Sequence, residues 1–193
     1  PRRAAVERLT NEDGVTFVHD TARFVDDGRL AVGDQTIEPD YVVIATGSTV
    51  NVPAVPGIDD VEVLTSADVL DRTGFGESGI VMGFGYIGLE LVPYLSEAAG
   101  MELTVIEHDA RPLDEADGTF GDALLEYYRE AFDIEVLTHT DEEHVEATEA
   151  GGVRLHVDRD GTDETIEADQ LFAFTGRRPT IDRLGLERTS LDP

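Results

Sequence analysis

Cysteine, lysine and tryptophan are all absent from the 193 residues. Without cysteine the chain holds no disulfide, no thiolate nucleophile and no cysteine-ligated metal. Histidine is scarce, at five residues, and none falls in an HExxH pattern; His139 and His144 are flanked by acids and read as surface residues near a turn. No metal site is expected. No apolar run approaches the roughly 18 residues that a membrane span requires. The chain begins at Pro1, with no basic and apolar leader, so it reads as part of a longer polypeptide with no visible secretory signal.

Positive charge is also scarce. Asp and Glu number 42 against 14 basic residues, all of them arginine, for a net charge of −28. A surface this acidic repels nucleic acid and anionic membranes, so neither is an expected partner. The acids are spread along the whole chain and are not gathered in a tail. That distribution reads as halophilic adaptation, because molar salt screens the self-repulsion of a highly charged surface. A cytoplasmic location is expected.

Hydrophobic residues make up 40% of the chain, enough for a packed core. The end of a helix is expected over residues 1–11. Short alternating segments at Val15–His19, Thr21–Val25, Arg29–Val32 and Thr36–Ile37, separated by Asp-Gly and Gly-Asp turns, predict an antiparallel meander. Tyr41–Ala45 is a continuous apolar run and predicts a buried strand, ended by Thr46, Gly47 and Ser48. The connector NVPAVPGIDD follows. A short helix over Thr65–Leu70 is expected, capped by Thr65 or Ser66 with Asp68 in its first turn. Strands at Gly79–Met82, Leu103–Glu107 and Ile134–Thr138 alternate with helices at Tyr86–Ala99 and Phe120–Phe132. This β-α-β-α-β order implies a parallel sheet. Glu143–Thr148, Gly152–Val157 and Glu164–Ala168 predict a second meander, and Gln170–Phe174 a last apolar strand ended by Thr175 and Gly176. Tyr127 and Tyr128 lie in a helical pattern and read as packing residues.

The stretch GFGYIG, between a strand and a helix, is the sharpest signal. Gly83 permits a tight turn out of the strand, Gly85 leaves room for a pyrophosphate to approach the backbone, and Gly88 lets the helix pack closely on the sheet. A pyrophosphate then lies at the helix N-terminus, near free N–H groups and the positive end of the dipole. Glu107 ends the next strand, 24 positions after Gly83 (107 − 83), where an acid can accept hydrogen bonds from the ribose hydroxyls of an adenosine half. The fold class is therefore α/β, with a Rossmann-like dinucleotide-binding domain. A carboxylate at this place favours NAD over NADP, although Arg111 lies four residues further on.

Four stretches together, GFGYIGLEL at Gly83–Leu91, VIEHD at Val105–Asp109, VVIATGS at Val42–Ser48 and FTGRRP at Phe174–Pro179, resemble the flavin-dependent pyridine nucleotide-disulfide oxidoreductases. That family includes dihydrolipoamide dehydrogenase, mercuric reductase and glutathione reductase. The resemblance covers nearly the whole chain in order and spacing. It implies that residues 1–48 are the late part of a first FAD-domain segment, 49–168 an inserted NAD(P) domain, and 169–193 a return toward the FAD domain. It implies NAD contacts from Gly83, Phe84, Gly85, Tyr86, Ile87, Gly88, Glu107, Val145 and Gly176, and FAD contacts from Thr46, Gly47 and Ser48. Tyr86 matches the tyrosine that covers the flavin on its nicotinamide side and moves aside for the cofactor. Glu90 matches an acid that pairs with a flavin-side lysine. Phe84 stands where the family often has Gly or Ala, a departure within the pyrophosphate loop.

The same resemblance implies that hydride passes between nicotinamide and FAD and then to a disulfide-type substrate, with the dihydrolipoamide dehydrogenase and mercuric reductase branch the nearest in motif. The redox cysteine pair and the His–Glu acid/base pair of that family lie outside this chain, so no catalytic residue is expected in it and it is not expected to turn over alone. Its partners would be the FAD domain of the same full-length chain and a second copy in a homodimer. Two other readings of the residues stand beside this one. One is a stand-alone NAD-binding regulatory or redox-sensing module; the other is a flavoprotein of the NADH oxidase or ferredoxin reductase type. A non-binding structural domain is disfavoured by the intact glycine set and Glu107.

Overall fold

The computed structural model describes residues 8–10, 12–114, 117–132 and 134–191. Residues 8–10 are helical, and most of the helix expected over 1–11 lies outside the described residues. The chain divides into two compact units, one formed by 1–48 with 179–193, the other by 49–178.

In the first unit β1 (Ala22–Asp26), β2 (Arg29–Val32) and β3 (Gln35–Ile37) form an antiparallel sheet in that order. Gly28 N donates to Asp26 Oδ1 (3.2 Å) in the first turn, and Arg29 pairs with Asp26 across it. Phe24 and Leu30 bury their side chains with Leu186 as a small core. Two expectations fail here. Val15–His19 and Tyr41–Ala45 are not strands, and Tyr41 and Val43 are 92% and 88% exposed. An apolar run becomes a buried strand only with a ladder partner and a covering layer, and neither segment is in the ladder of a described strand.

The second unit carries β5 (Val63–Thr65), α1 (Ser66–Asp71), β6 (Ser78–Met82), α2 (Tyr86–Pro93), β7 (Glu102–Ile106), α3 (Gly118–Phe132), β8 (Glu135–Leu137), β9 (Thr140–Ala147), β10 (Val153–Arg159), β11 (Thr162–Ala168) and β12 (Gln170–Ala173). The short β4 (Ser48–Val50) and β13 (Arg177–Pro179) form a two-stranded ribbon. Five strands make a parallel sheet in the order β5-β12-β6-β7-β8, and β9 to β11 make an antiparallel meander. β12 therefore lies inside this sheet, with Leu171 opposite Ile80, and the compact unit runs on to Arg178. Its residues Leu171 and Phe172 are fully buried, as an apolar strand covered on both faces requires.

Alternation along the strands separates two cores. Val81, Leu103, Val105, Val136 and Phe172 pack with Val69, Val92 and Leu95 from the helices. Ile80, Met82, Ile106, Leu137 and Leu171 pack with Val145, Val153, Leu155 and Val157 from the meander. The unit is thus three layers: helices, parallel sheet, meander.

The helix expected over Tyr86–Ala99 is regular only to Pro93, and Tyr94–Ala98 forms a π turn. Proline has no N–H to give the carbonyl four residues back, which is Leu89 O. Tyr128 on α3 donates its hydroxyl to that carbonyl at 2.6 Å. The α1 cap matches the sequence reading: Thr65 caps the helix and the Asp68 carboxylate accepts from Thr65 N (2.8 Å).

Candidate functional site

A cleft of about 1110 Å³ lies at the carboxyl ends of the parallel strands, within the second unit. Its lining includes Gly83, Gly85, Tyr86 and Ile87 after β6, Glu107, His108 and Asp109 after β7, and Thr175, Gly176 and Arg177 after β12. β6 leads outward to β7 and β8 on one side, while β12 lies on its other side. Ligands of open α/β sheets bind at such a reversal of strand order.

The three glycines meet different demands. Gly83 has φ +92°, a left-handed conformation that costs an L residue strain, and Phe174 O stands 3.0 Å from where its Cβ would be. Gly88 has no room for a Cβ, which would stand 2.6 Å from Gly83 O. Gly85 is ordinary in φ, at −74°, yet nothing lies within 4 Å of an added Cβ. Gly85 is also the N-cap of α2, with no side-chain cap. First-turn N–H groups of a helix have no intrahelical partner, and those of Tyr86 and Ile87 belong to residues on the cleft wall. The cradle fits a diphosphate: an open approach over Gly85 beside a helix N-terminus.

Glu107 is fastened to this loop. Its Oε2 accepts from Phe84 N at 2.8 Å and its Oε1 from Asp109 N at 3.2 Å. An ionised carboxylate offers about four acceptor sites, so lone pairs remain for hydroxyl donors in the cleft. Arg111 is held by Asp122 (Nε, 2.7 Å) and Asp114 (Nη1, 2.9 Å), which keep its guanidinium even more firmly protonated than usual.

His108 sits between the cleft and the meander. Its Nδ1 is 2.6 Å from Asp141 Oδ1 and its Nε2 3.0 Å from Glu142 Oε2. Burial pulls the imidazole pKa down, but the hydrogen bond to Asp141 and the charges of Glu142, Asp141 and Glu107 carry it above the usual histidine value. Burial raises the Glu142 pKa, and the His108 charge opposes that rise.

Not every residue read from the sequence reaches the cleft. Phe84 turns its side chain into the core, fully buried and edge-on to Tyr128 at 5.2 Å, so only its backbone adjoins the site. Val145 does not line the cleft; it is fully buried in the meander-side core, and its N–H donates to Pro56 O (2.9 Å). Tyr86 is 75% exposed on the cleft wall, and Glu90, one turn along α2, is exposed away from the lining. Thr46, Gly47 and Ser48 belong to the first unit. Among residues not anticipated, Asn51 donates its N–H to Gly176 O (3.0 Å) and its Nδ2 to Thr175 O (3.2 Å), while Thr175 Oγ1 donates to Asn51 O (2.8 Å). The repeated strand-Thr-Gly ending was the available clue to that wall. His108 had only its place beside Glu107.

A parallel sheet with a glycine loop, a helix and an acid at its carboxyl end defines a Rossmann-type α/β domain. The sequence profile of the family described as pyridine nucleotide-disulphide oxidoreductase matches residues 1–192. The chain belongs to that family. It is 31% identical over 185 residues to a mercuric reductase of Bacillus cereus, covering 95% of this chain and 29% of the relative. It is 31% identical over 200 residues to a dihydrolipoyl dehydrogenase of Haloferax volcanii, covering 97% and 40%. The fold matches the HOCl-induced flavoprotein disulfide reductase RclA of Escherichia coli with a TM-score of 0.77 at 22% identity, over 99% of this chain and 43% of that one. The chain thus spans well under half the length of these relatives. Members of the family use FAD and NAD(P). Among the described residues no helix is long and apolar enough to cross a membrane.

Proposed function

We propose that the unit 49–178 is the nicotinamide-dinucleotide docking part of a flavin-dependent disulfide oxidoreductase. The observation that carries this reading is the empty approach over Gly85, at the start of α2, with Glu107 hydrogen-bonded to the same loop. In this reading the diphosphate lies over Gly85 and the first turn of α2, and the adenosine ribose gives its hydroxyls to Glu107. When bound, the nicotinamide and an FAD supply hydride transfer. This chain's residues bind and orient: Tyr86 is the exposed cover on the cleft wall, and Glu90 awaits a basic partner elsewhere in the full-length protein. Residues 1–48 and 179–193 belong to the FAD domain, with Thr46, Gly47 and Ser48 against FAD, in a chain that dimerises. The electron acceptor is a disulfide-type substrate of the dihydrolipoamide dehydrogenase kind, and the protein works in a cytoplasm of high salt.

Glu107 sets a preference for NAD, because a carboxylate repels a 2′-phosphate, and Arg111 is occupied by Asp114 and Asp122. Glu107→Arg is expected to weaken NADH binding about tenfold and to improve NADPH binding relative to it, given a charge reversal beside the ribose. Fluorescence titration with each cofactor in molar KCl reads this out. An unchanged ratio of the two affinities would remove Glu107 from the role. Failure of the folded protein to bind either would count against the docking reading itself.

A further inference from the structure

We propose that His108 is a positioning residue of the ribose subsite, tying the loop that carries Glu107 to β9 and making dinucleotide affinity fall in alkaline solution. The proposal rests on the nicotinamide reading of the cleft.

Both ring nitrogens of His108 face carboxylates, Asp141 at 2.6 Å and Glu142 at 3.0 Å. An ionised carboxylate only accepts, so the two bonds form together only when both nitrogens carry protons. With both N–H groups engaged, the ring has none left for a cofactor; it holds the loop and does not bind ligand. The Glu142 side chain is 4% exposed, against 51% for His108 and 74% for Asp141. The charges facing the ring are Asp141 and Glu142 on β9 and Glu107 at the end of β7. The imidazolium is therefore the cation that makes a buried carboxylate tolerable in an acidic corner.

The link to Glu107 is the peptide between His108 and Asp109. Asp109 N is one of the two backbone donors that fix the Glu107 carboxylate, the other being Phe84 N. Movement of the His108 ring moves that peptide, and with it the direction of Glu107. Loss of the ring proton leaves a lone pair facing a carboxylate and frees the clamp. The sign follows from a folded pKa above the ordinary 6.5. The clamp is complete below 6.5 and is lost as pH rises through the raised folded value.

The test is titration of the protein with NADH in molar KCl from about pH 6 to about pH 9, a window that spans histidine titration. Affinity is expected to hold at the acid end and to fall about tenfold at the alkaline end, the loss typical of a buried polar group left without its partner. His108→Gln should bind about tenfold more weakly at the acid end and show no pH dependence. His108→Arg keeps a permanent cation and should bind without pH dependence, more tightly than His108→Gln at the alkaline end. Glu142→Gln should move the midpoint down toward the ordinary histidine value. Circular dichroism confirms that each variant is folded; if His108→Gln is not, the wild-type profile and Glu142→Gln decide. A flat wild-type profile, or a folded His108→Gln variant that matches wild type, overturns the clamp while leaving the docking reading intact. A folded wild type that binds neither NADH nor NADPH at any pH overturns both.

Discussion

Gly85 caps α2 and Gly88 lies in its first turn, yet the two are glycines for opposite reasons. Gly88 is required by what already touches it, and Gly85 by what nothing touches. Gly88→Ala drives a Cβ into a backbone carbonyl, and is expected to cost about 2 kcal/mol as an overpacking substitution. Gly85→Ala meets open space at an ordinary φ, and its stability is expected to stay within about 0.5 kcal/mol of wild type. Its NADH affinity should nonetheless fall, because the methyl stands in the approach. Thermal unfolding and cofactor titration on the same two variants check this; a Gly85→Ala protein that binds normally would show that the open space is not used. These glycines were legible because strand, turn and helix impose backbone demands that leave few residue choices. His108 was not, because its partners Asp141 and Glu142 come 33 and 34 positions later (141 − 108 and 142 − 108). Phe84 and Val145 bury their side chains in the two cores, which motif position does not reveal: it names a residue, while burial decides which of its atoms a ligand could meet.

Among the elements, α2 shows how a local defect is mended from a distance. Pro93 deprives Leu89 of its helical donor, the chain widens into a π turn, and Tyr128 supplies the missing hydrogen bond from α3. Tyr128→Phe keeps the ring packing against Phe84 and removes only the hydroxyl. It is expected to destabilise the protein by about 1–2 kcal/mol, the effect of a carbonyl left without a partner. A melting temperature equal to wild type would mean that another donor, such as water, replaces it. Sequence pattern located the three helices and four of the five parallel strands within a few residues, but not the short β5. It did not find the π turn, next to which the freed Leu89 carbonyl takes its donor from a tyrosine 35 positions beyond the proline (128 − 93). It also read Tyr41–Ala45 as buried, since hydrophobicity states that a segment suits a covered place and is silent on what covers it.

For the molecule as a whole, net charge of −28 is the dominant fact. Arginine ion pairs such as those of Arg154 with Glu146 and Glu167 lie at half-exposed sites where each contributes little. Arginines cannot neutralise an excess this large, so screening by salt is expected to support the fold. Melting temperature should rise with KCl concentration from the millimolar to the molar range, followed by circular dichroism. A melting temperature that is constant or falls with KCl would remove the salt-adapted reading.

The parallel sheet is a wall shared by two rooms. Along β6, Ile80 and Met82 face the meander while Val81 faces the helices, and all three side chains are fully buried. Loosening of the meander leaves the helical room furnished, and loosening of the helices leaves the other. Gly83 N donates to Ile106 O at 3.0 Å, so the wall itself sets the spacing between the glycine turn and Glu107, the residue after Ile106. A protein arranged this way can vary one layer over generations and keep the spacing of its glycines and its acid unchanged.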